Sequence, residues 1–597
     1  FAPDYDRTST GKFYYQPVNP DHRLSYGDVD VALGSGEVEL AVGIEYKLVL
    51  EGVNDYYVTA GASVTPASTD PVSDYAITVA PKAVYSVTGG FKTSDGATVT
   101  PATVTFTNLE DNYPYTATVT DGAYSVKLRD GNYKVTADVE GYTSATYVVV
   151  NGAEVTKDIY YLAKQGATAL VKDIYVDQES GDNHYKTLKE AIDYVNAMDP
   201  APASEDERVT IHIAPGTYRA QYILTTPYVS LVNTDPSQKV LVTWYYGIGY
   251  KYYSADATGY YNELNAVDKV YKNGKLHVDG KATTDVARWG GTFSVKVSAH
   301  DFYAENIDFE NSFNKYVTQE EIDDGATPDL AQTIRVERTL GLDARSKAAT
   351  ERAAALISEA DNAEFYKCSF SSSQDTLYIN PSINNYYKDC FVEGMTDYIF
   401  GDGEVVFDNC TLNFCGYSDG AVGGYITATR NDQKGTGYLF NECTITGTNE
   451  NGITSPAGKY GRNWGLSSTV YFVNSTVKDN LIDADGWGAM SGDPAKSNYY
   501  EYNNKNEDGT AVVSKKGKAL TSDDVKAISI KTFLGDWTPK NYTGNEIVVG
   551  GNDPVNPEPG TSTAALGDVD QNGTYTANDA ALALSYVLDK ANANLTA

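Results

Sequence analysis

Two aspartates, Asp375 in "SSSQDTLYIN" and Asp397 in "GMTDYIFGDG", stand 22 residues apart among small and aromatic side chains, clear of any charge run. Each follows a cysteine, Cys368 or Cys390, by seven residues. If those cysteines stack on consecutive turns of a repeat, the aspartates stack as well, with carboxyls about 5 Å apart. Two like charges that close do not ionise independently. One pKa rises, which leaves an acid and a carboxylate near neutral pH. Two identical side chains then become a general acid and a nucleophile. Gln374, beside Asp375, can donate hydrogen bonds to a developing oxyanion. On spacing alone, a pair of turn aspartates capping loops fits as well.

The elements that must position these acids form a repeat. The segments "DFYAENIDF", "AEFYKCSF", "NYYKDCFV", "VVFDNCTL", "YLFNECTI" and "VYFVNSTV" are short strands with aromatics before a small residue. That residue is read as Asn306, Cys368, Cys390, Cys410, Cys443 and Ser475 in turn. The tightest spacings, 22 and 20 residues, lie in the range of a solenoid. Strands without a helix in each repeat select a parallel β-helix, with a ladder of small side chains inside and loops leaving the coil at the wider gaps. The predicted helix in "YKTLKEAIDYVNAM" places Leu188, Ile192 and Val195 on one face.

The expected fold class is mainly β. Residues 1–84 read as a β-rich module, and 85–165 as a β-sandwich of short strands with Gly and Asp-Gly turns. Residues 166–547 read as the β-helix, 548–563 as a Pro- and Gly-rich linker, and 564–597 as a small helical segment with a calcium loop.

Bulk composition narrows the partners. The chain has 597 residues and a formal charge of −34, with 80 acids against 46 bases. That balance argues against nucleic acid or an anionic membrane. No apolar run reaches 18 residues, and five cysteines make no disulfide framework. The chain opens on Phe1 without Met, as expected of a mature or trimmed chain. The 49 tyrosines suit β structure and sugar contact.

"SQDTLY", "TDYIFG" and "YGRNWG" occur in that order, with "GTY", "ENIDFEN" and "GW" around them. Together, from about residue 173 to 540, they resemble the signature segments of the pectin methylesterases, the family-8 carbohydrate esterases. The resemblance implies a right-handed parallel β-helix and hydrolysis of pectin methyl esters. It also implies that Asp397 is the nucleophile and Asp375 the acid and then base. By the same match Gln374 is an oxyanion donor, and Arg462 orients Asp397. Tyr378, Phe400, Trp464 and Trp487 match aromatics of the sugar cleft, although each taken singly reads more readily as core. The sequence departs from the pattern twice. Arg352 stands where the family often has a first oxyanion glutamine, and Asn463 replaces a proline. No cofactor is expected for catalysis.

Other chemistries read less well. "GYSDG" (416–420) matches G-x-S-x-G, but a strand rather than a helix should follow it. The five histidines have no recognisable catalytic context. A pectate lyase, another pectin-active hydrolase or a non-catalytic pectate-binding protein could share the fold. At the C-terminus, Asp568, Asp570, Asn572, Asp579 and the Thr574 carbonyl fit an oxygen-ligand loop for Ca²⁺. The segment 564–597 resembles the first half of a type I dockerin, and 85–165 resembles carboxypeptidase-regulatory-like modules. These resemblances imply a secreted bacterial monomer acting on pectin, with a scaffoldin cohesin as partner for a complete dockerin.

Overall fold

The computed structural model describes residues 12–550 apart from internal stretches, the longest being 19–27, 30–37, 277–292, 329–335 and 449–456. The calcium-loop residues Asp568, Asp570, Asn572, Thr574 and Asp579 lie outside the described residues. Two compact units emerge. The first gathers Phe1–Ala169, Tyr245–Phe293 and Tyr316–Ala344; the second gathers Leu170–Trp244, Ser294–Lys315 and the residues from Arg345 on.

In the first unit, a seven-stranded and a three-stranded sheet cover residues 84–163. Val87, Phe106, Leu128, Tyr133 and Val148 of the larger sheet share one core with Ile159 and Tyr161 of the smaller. The Asp121-Gly122 turn joins Pro114–Thr120 to Ala123–Arg129 with both φ positive (53° and 75°), which matches the twist of a tight hairpin. Upstream, a four-stranded and a two-stranded sheet pack around Tyr15, Tyr46 and Leu48.

The second unit is a parallel β-helix. Its described strands form three parallel sheets, and each turn of the coil contributes one strand to each sheet. The first sheet includes Glu364–Tyr366, Asn385–Lys388 and Val405–Asp408; the second includes Ser369–Ser371, Phe391–Gly394 and Thr411–Phe414. The third, which carries the chemistry, includes Leu377–Ile379, Ile399–Gly401, Gly424–Thr429, Gly458–Asn463 and Trp487–Ala489. The helix spans Leu188–Asn196, opens on a Thr187/Glu190 capping box, and buries Leu188, Ala191, Ile192 and Val195 in the core of the coil.

Between the first- and second-sheet strands of seven successive turns, one residue takes a left-handed φ of 51–54°: Asn306, Lys367, Asp389, Asn409, Glu442, Asn474 and Asn503. Asn and Asp tolerate that conformation best. Asn306 therefore belongs to this corner column, and Ile307 is the residue that shares the column of Cys368, Cys390, Cys410 and Cys443. The strand pairing Glu305↔Tyr366 and Asp308↔Ser369 fixes this one-residue correction. All five cysteines are free thiols. Cys390, Cys410 and Cys443 donate to backbone carbonyls one turn back at 3.3–3.4 Å. Beside them Phe365, Tyr387, Phe407, Phe440 and Phe472 stack at 4.3–4.8 Å. Cys368, Cys390, Cys410 and Cys443 are all buried in the core of the coil, so this ladder is apolar filling.

Candidate active site

The turns that join the second sheet to the third carry the two acids. Asp375 lies between Ser369–Ser371 and Leu377–Ile379, and Asp397 lies between Phe391–Gly394 and Ile399–Gly401. Both have left-handed φ, 59° and 53°. The turns are in register: Gln374 bridges Thr396, the Asp375 amide donates to the Thr396 carbonyl (3.0 Å), and Leu377 pairs with Ile399. Asp375 and Asp397 thus occupy equivalent places on successive turns, one strand spacing of about 4.8 Å apart. The glycines of the motifs have steric causes. Gly401 has a φ of +124°, and a Cβ there would fall 1.9 Å from the Ile379 carbonyl oxygen. A Cβ on Gly461 would fall 1.9 Å from Thr427 Oγ1.

Arg462 reaches Asp397 with a two-pronged pair, Nε to Oδ1 at 2.8 Å and Nη2 to Oδ2 at 2.6 Å. Both aspartates are 6% exposed. Burial and then the charge of Asp397 push the Asp375 carboxyl well above the usual carboxylate range, against the opposing pull of Arg352 and Arg462. Burial also raises Asp397, but the Arg462 hydrogen bonds and charge oppose it. The Arg462 pairing thus favours the charged form at Asp397, while burial and the charge of Asp397 favour the protonated form at Asp375.

Gln374 stands between Arg352 and Thr396 in one column of parallel bridges. Among the described residues its side-chain amide has no hydrogen-bonding partner, so its N–H groups can meet an incoming oxygen. Arg352 is one turn back, and its Nε donates to the buried Glu351 (2.8 Å). Glu351 is pinned in turn by Asn314, whose side-chain amide donates to the Glu351 carbonyl (2.6 Å) and accepts from its backbone N–H (2.9 Å). Asn314 also donates to Ser372 Oγ (3.1 Å), and Lys315 donates to Ser371 Oγ (3.3 Å) and Glu393 (2.7 Å). This polar layer supports the turn that holds Gln374 and Asp375.

A pectinesterase family model matches residues 314–548, which includes every one of these groups. The chain is 31% identical over 288 residues to the probable pectinesterase A of Aspergillus niger, covering 48% of this chain and 79% of that protein. The chain belongs to the pectinesterase family. It is a carboxylic ester hydrolase. A second match, to the probable pectinesterase A of Neosartorya fischeri, is 38% identical over 199 residues and covers 32% of this chain and 56% of that one. Among solved structures, the pectin methylesterase of Erwinia chrysanthemi aligns with 62% of this chain and 99% of its own at 23% identity, with a TM-score of 0.45.

In this pectinesterase, Tyr378 and Phe400 follow each other in the third sheet and stack at 4.5 Å and 4°. Trp464 lies 6.4 and 6.0 Å from their centroids. None of the three joins the cluster inside the coil that holds their strand neighbours Leu377, Ile379 and Ile399, although Tyr378 and Phe400 are each only 4% exposed. They form one aromatic patch on the outer face of the sheet that carries Arg462. Trp487 does not join it. Its partner in the sheet is Gly461, and the residue in line with Arg462 is Gly488. The Trp487 indole is fully buried, stacks on Tyr499 at 4.0 Å and donates Nε1–H to Glu501 at 2.7 Å. The expectation of Trp487 as a cleft residue is corrected to core. The Trp487→Phe variant should lower the unfolding free energy by about 2 kcal/mol, because the buried Glu501 loses a donor, with KM for pectin unchanged. Denaturant unfolding and steady-state kinetics check this. A raised KM with undiminished stability would return Trp487 to the cleft.

Two residues near the site carry no local motif. Tyr425 places its ring 4.3 Å from the Arg462 guanidinium carbon, and Arg430 stacks at 4.3 Å on Trp464. Ser418 of "GYSDG" lies in a turn, and the next element is the strand Gly424–Thr429. One trio among the described residues could hold a metal ion, Asp177, Glu179 and His184, with ligand atoms within 4.8 Å. It follows the strand Asp173–Val176 on the first turn of the coil and includes neither Asp375 nor Asp397.

Proposed function

We propose that the chain hydrolyses methyl esters of homogalacturonan to pectate and methanol, with Asp397 as nucleophile and Asp375 as acid and base. The observation that carries this reading is the two-pronged Arg462–Asp397 pair, in register with the buried Asp375 on the preceding turn. Asp397 attacks the ester carbonyl, and the negative charge moves to the carbonyl oxygen. The Gln374 amide and the nearby Arg352 cation stabilise it there. Collapse of the intermediate breaks the C–O bond to methoxide, which takes the Asp375 proton and leaves as methanol. Asp375, now a carboxylate, removes a proton from water. The hydroxide attacks the acyl-Asp397 anhydride at the galacturonyl carbonyl; Asp397 leaves as the carboxylate, Asp375 keeps the proton taken from water, and the galacturonic acid product gives its proton to solvent. Tyr378, Phe400 and Trp464 offer flat apolar faces to sugar rings.

The test is methanol release from highly methylated pectin. Chain cleavage to an unsaturated product would favour a lyase, and binding without either product would favour a pectate-binding protein. The finer parts of the reading rest on sequence. Residues 85–165 act as a carboxypeptidase-regulatory-like spacer or adhesive module of a secreted, monomeric bacterial enzyme. The loop at Asp568, Asp570, Asn572, Thr574 and Asp579 takes Ca²⁺ as the first half of a dockerin, a module that engages a cohesin when it is complete. Because the proposed steps use two acids, one amide and two guanidinium groups, EDTA should leave methanol release from soluble pectin unchanged. Loss of hydrolysis on chelation would place a metal in the catalytic reaction.

A further inference from the structure

Arg462 sits in the third sheet in line with Ala428 on one side and Gly488 on the other. Its guanidinium edge is occupied by Asp397. One flat face is covered by the Tyr425 ring, whose centroid lies 4.3 Å from the guanidinium carbon. Tyr425 is tied to the nucleophile's own turn, because its backbone N–H donates to the Met395 carbonyl at 2.9 Å, two residues before Asp397. On its other side the ring needs space. A Cβ placed on Gly488 would lie 2.7 Å from Tyr425 Cε1. The edge and the face of a guanidinium can be satisfied together, because its N–H donors lie in the plane and its cationic face accepts an aromatic ring.

We propose that Tyr425 is a positioning residue for the reaction. Its ring is the platform that keeps Arg462 in the plane from which both its N–H groups reach Asp397, and Gly488 is the vacancy that platform requires. The proposal rests on the ester-hydrolysis reading given above. Without the platform, the long Arg462 side chain samples other rotamers, and Asp397 loses part of the pairing that offsets its burial. Fewer molecules then carry an ionised, aimed nucleophile at a given pH. Substrate binding, which falls to the aromatic patch, is untouched.

The test uses the full chain with Tyr425→Phe, Tyr425→Leu and Gly488→Ala. Tyr425→Phe keeps the ring and should stay within about twofold of wild-type kcat. Tyr425→Leu keeps bulk but no aromatic face, and should lose on the order of tenfold in kcat, the scale of a partly desolvated cation–π contact. Its KM should hold, and the acid limb of kcat/KM should move to higher pH. Gly488→Ala should move both readouts the same way by displacing the ring. Carbon-13 NMR of aspartate-labelled protein follows Asp397 ionisation without substrate, so it reads the platform even if ester hydrolysis is not the reaction. The apparent pKa of Asp397 should rise in Tyr425→Leu and not in Tyr425→Phe. Wild-type kcat and an unmoved Asp397 titration in Tyr425→Leu would overturn the proposal. So would a change confined to KM, or a Tyr425→Phe variant as damaged as Tyr425→Leu.

Discussion

Asp397→Asn is expected to reduce methanol release by at least about 10³-fold while the chain stays folded. Asparagine keeps the side-chain shape and tolerates the left-handed φ of 53° at this position. It removes the group that forms the acyl intermediate in the proposed mechanism. Arg462 loses its charge partner, but its side chain is 23% exposed and can be hydrated, so the fold should survive. Asp397→Ala should be as inactive and somewhat less stable, since alanine pays more for a left-handed φ. Methanol assays with circular dichroism and thermal melts decide the matter. Turnover within about tenfold of wild type in folded Asp397→Asn would remove Asp397 as the nucleophile.

Asp375→Asn should cost on the order of 10²-fold or more in kcat, because an amide can neither protonate methoxide nor take a proton from water. The pH profile provides the sharper test. The proposed mechanism needs Asp397 ionised and Asp375 protonated, so kcat/KM should rise as Asp397 ionises and fall as Asp375 loses its proton. Burial and the neighbouring charge hold Asp375 well above the usual carboxylate range, which sets the falling limb above that range too. In Asp375→Asn the residual activity should keep the rising limb and lose the falling one. Stability should move the opposite way. The folded pKa of Asp375 is raised, so its contribution is fully present below the unfolded value of about 3.9 and is lost as pH climbs through the folded value. Asparagine removes that loss, and the variant should melt higher than wild type near neutral pH. An unchanged falling limb would assign the acid to another group.

The local sequence determined much of this site because its parts are contiguous in the chain. The 22-residue spacing of Asp375 and Asp397 equals the spacing of Cys368 and Cys390, so one turn of the coil carries both pairs into register. The glycines of "DYIFG" and "YGRNWG" stand where a Cβ would meet the preceding turn, at the Ile379 carbonyl oxygen for Gly401 and at Thr427 Oγ1 for Gly461. The helix over Leu188–Asn196 followed from the apolar face of Leu188, Ile192 and Val195.

Tertiary structure decided what depends on strand parity and on side chains reaching between turns. "GWG" reads equally well with its tryptophan outward or inward. The Gly461↔Trp487 pairing turns Trp487 into the core and leaves Gly488 beside Arg462. A one-residue offset in the same way separates Asn306 at the corner from Ile307 inside the coil. Arg352 looked like a lone charge in the position of an amide, until the fold set Asn314, 38 residues earlier in the chain, to hold the Glu351 that pairs with it. Tyr425 has no motif at all, because it lies 37 residues before Arg462 and meets it only when adjacent turns stack. A repeat in sequence specifies which residues share a column. Only the packed coil specifies which face each column shows and which long side chains cross from one turn to the next.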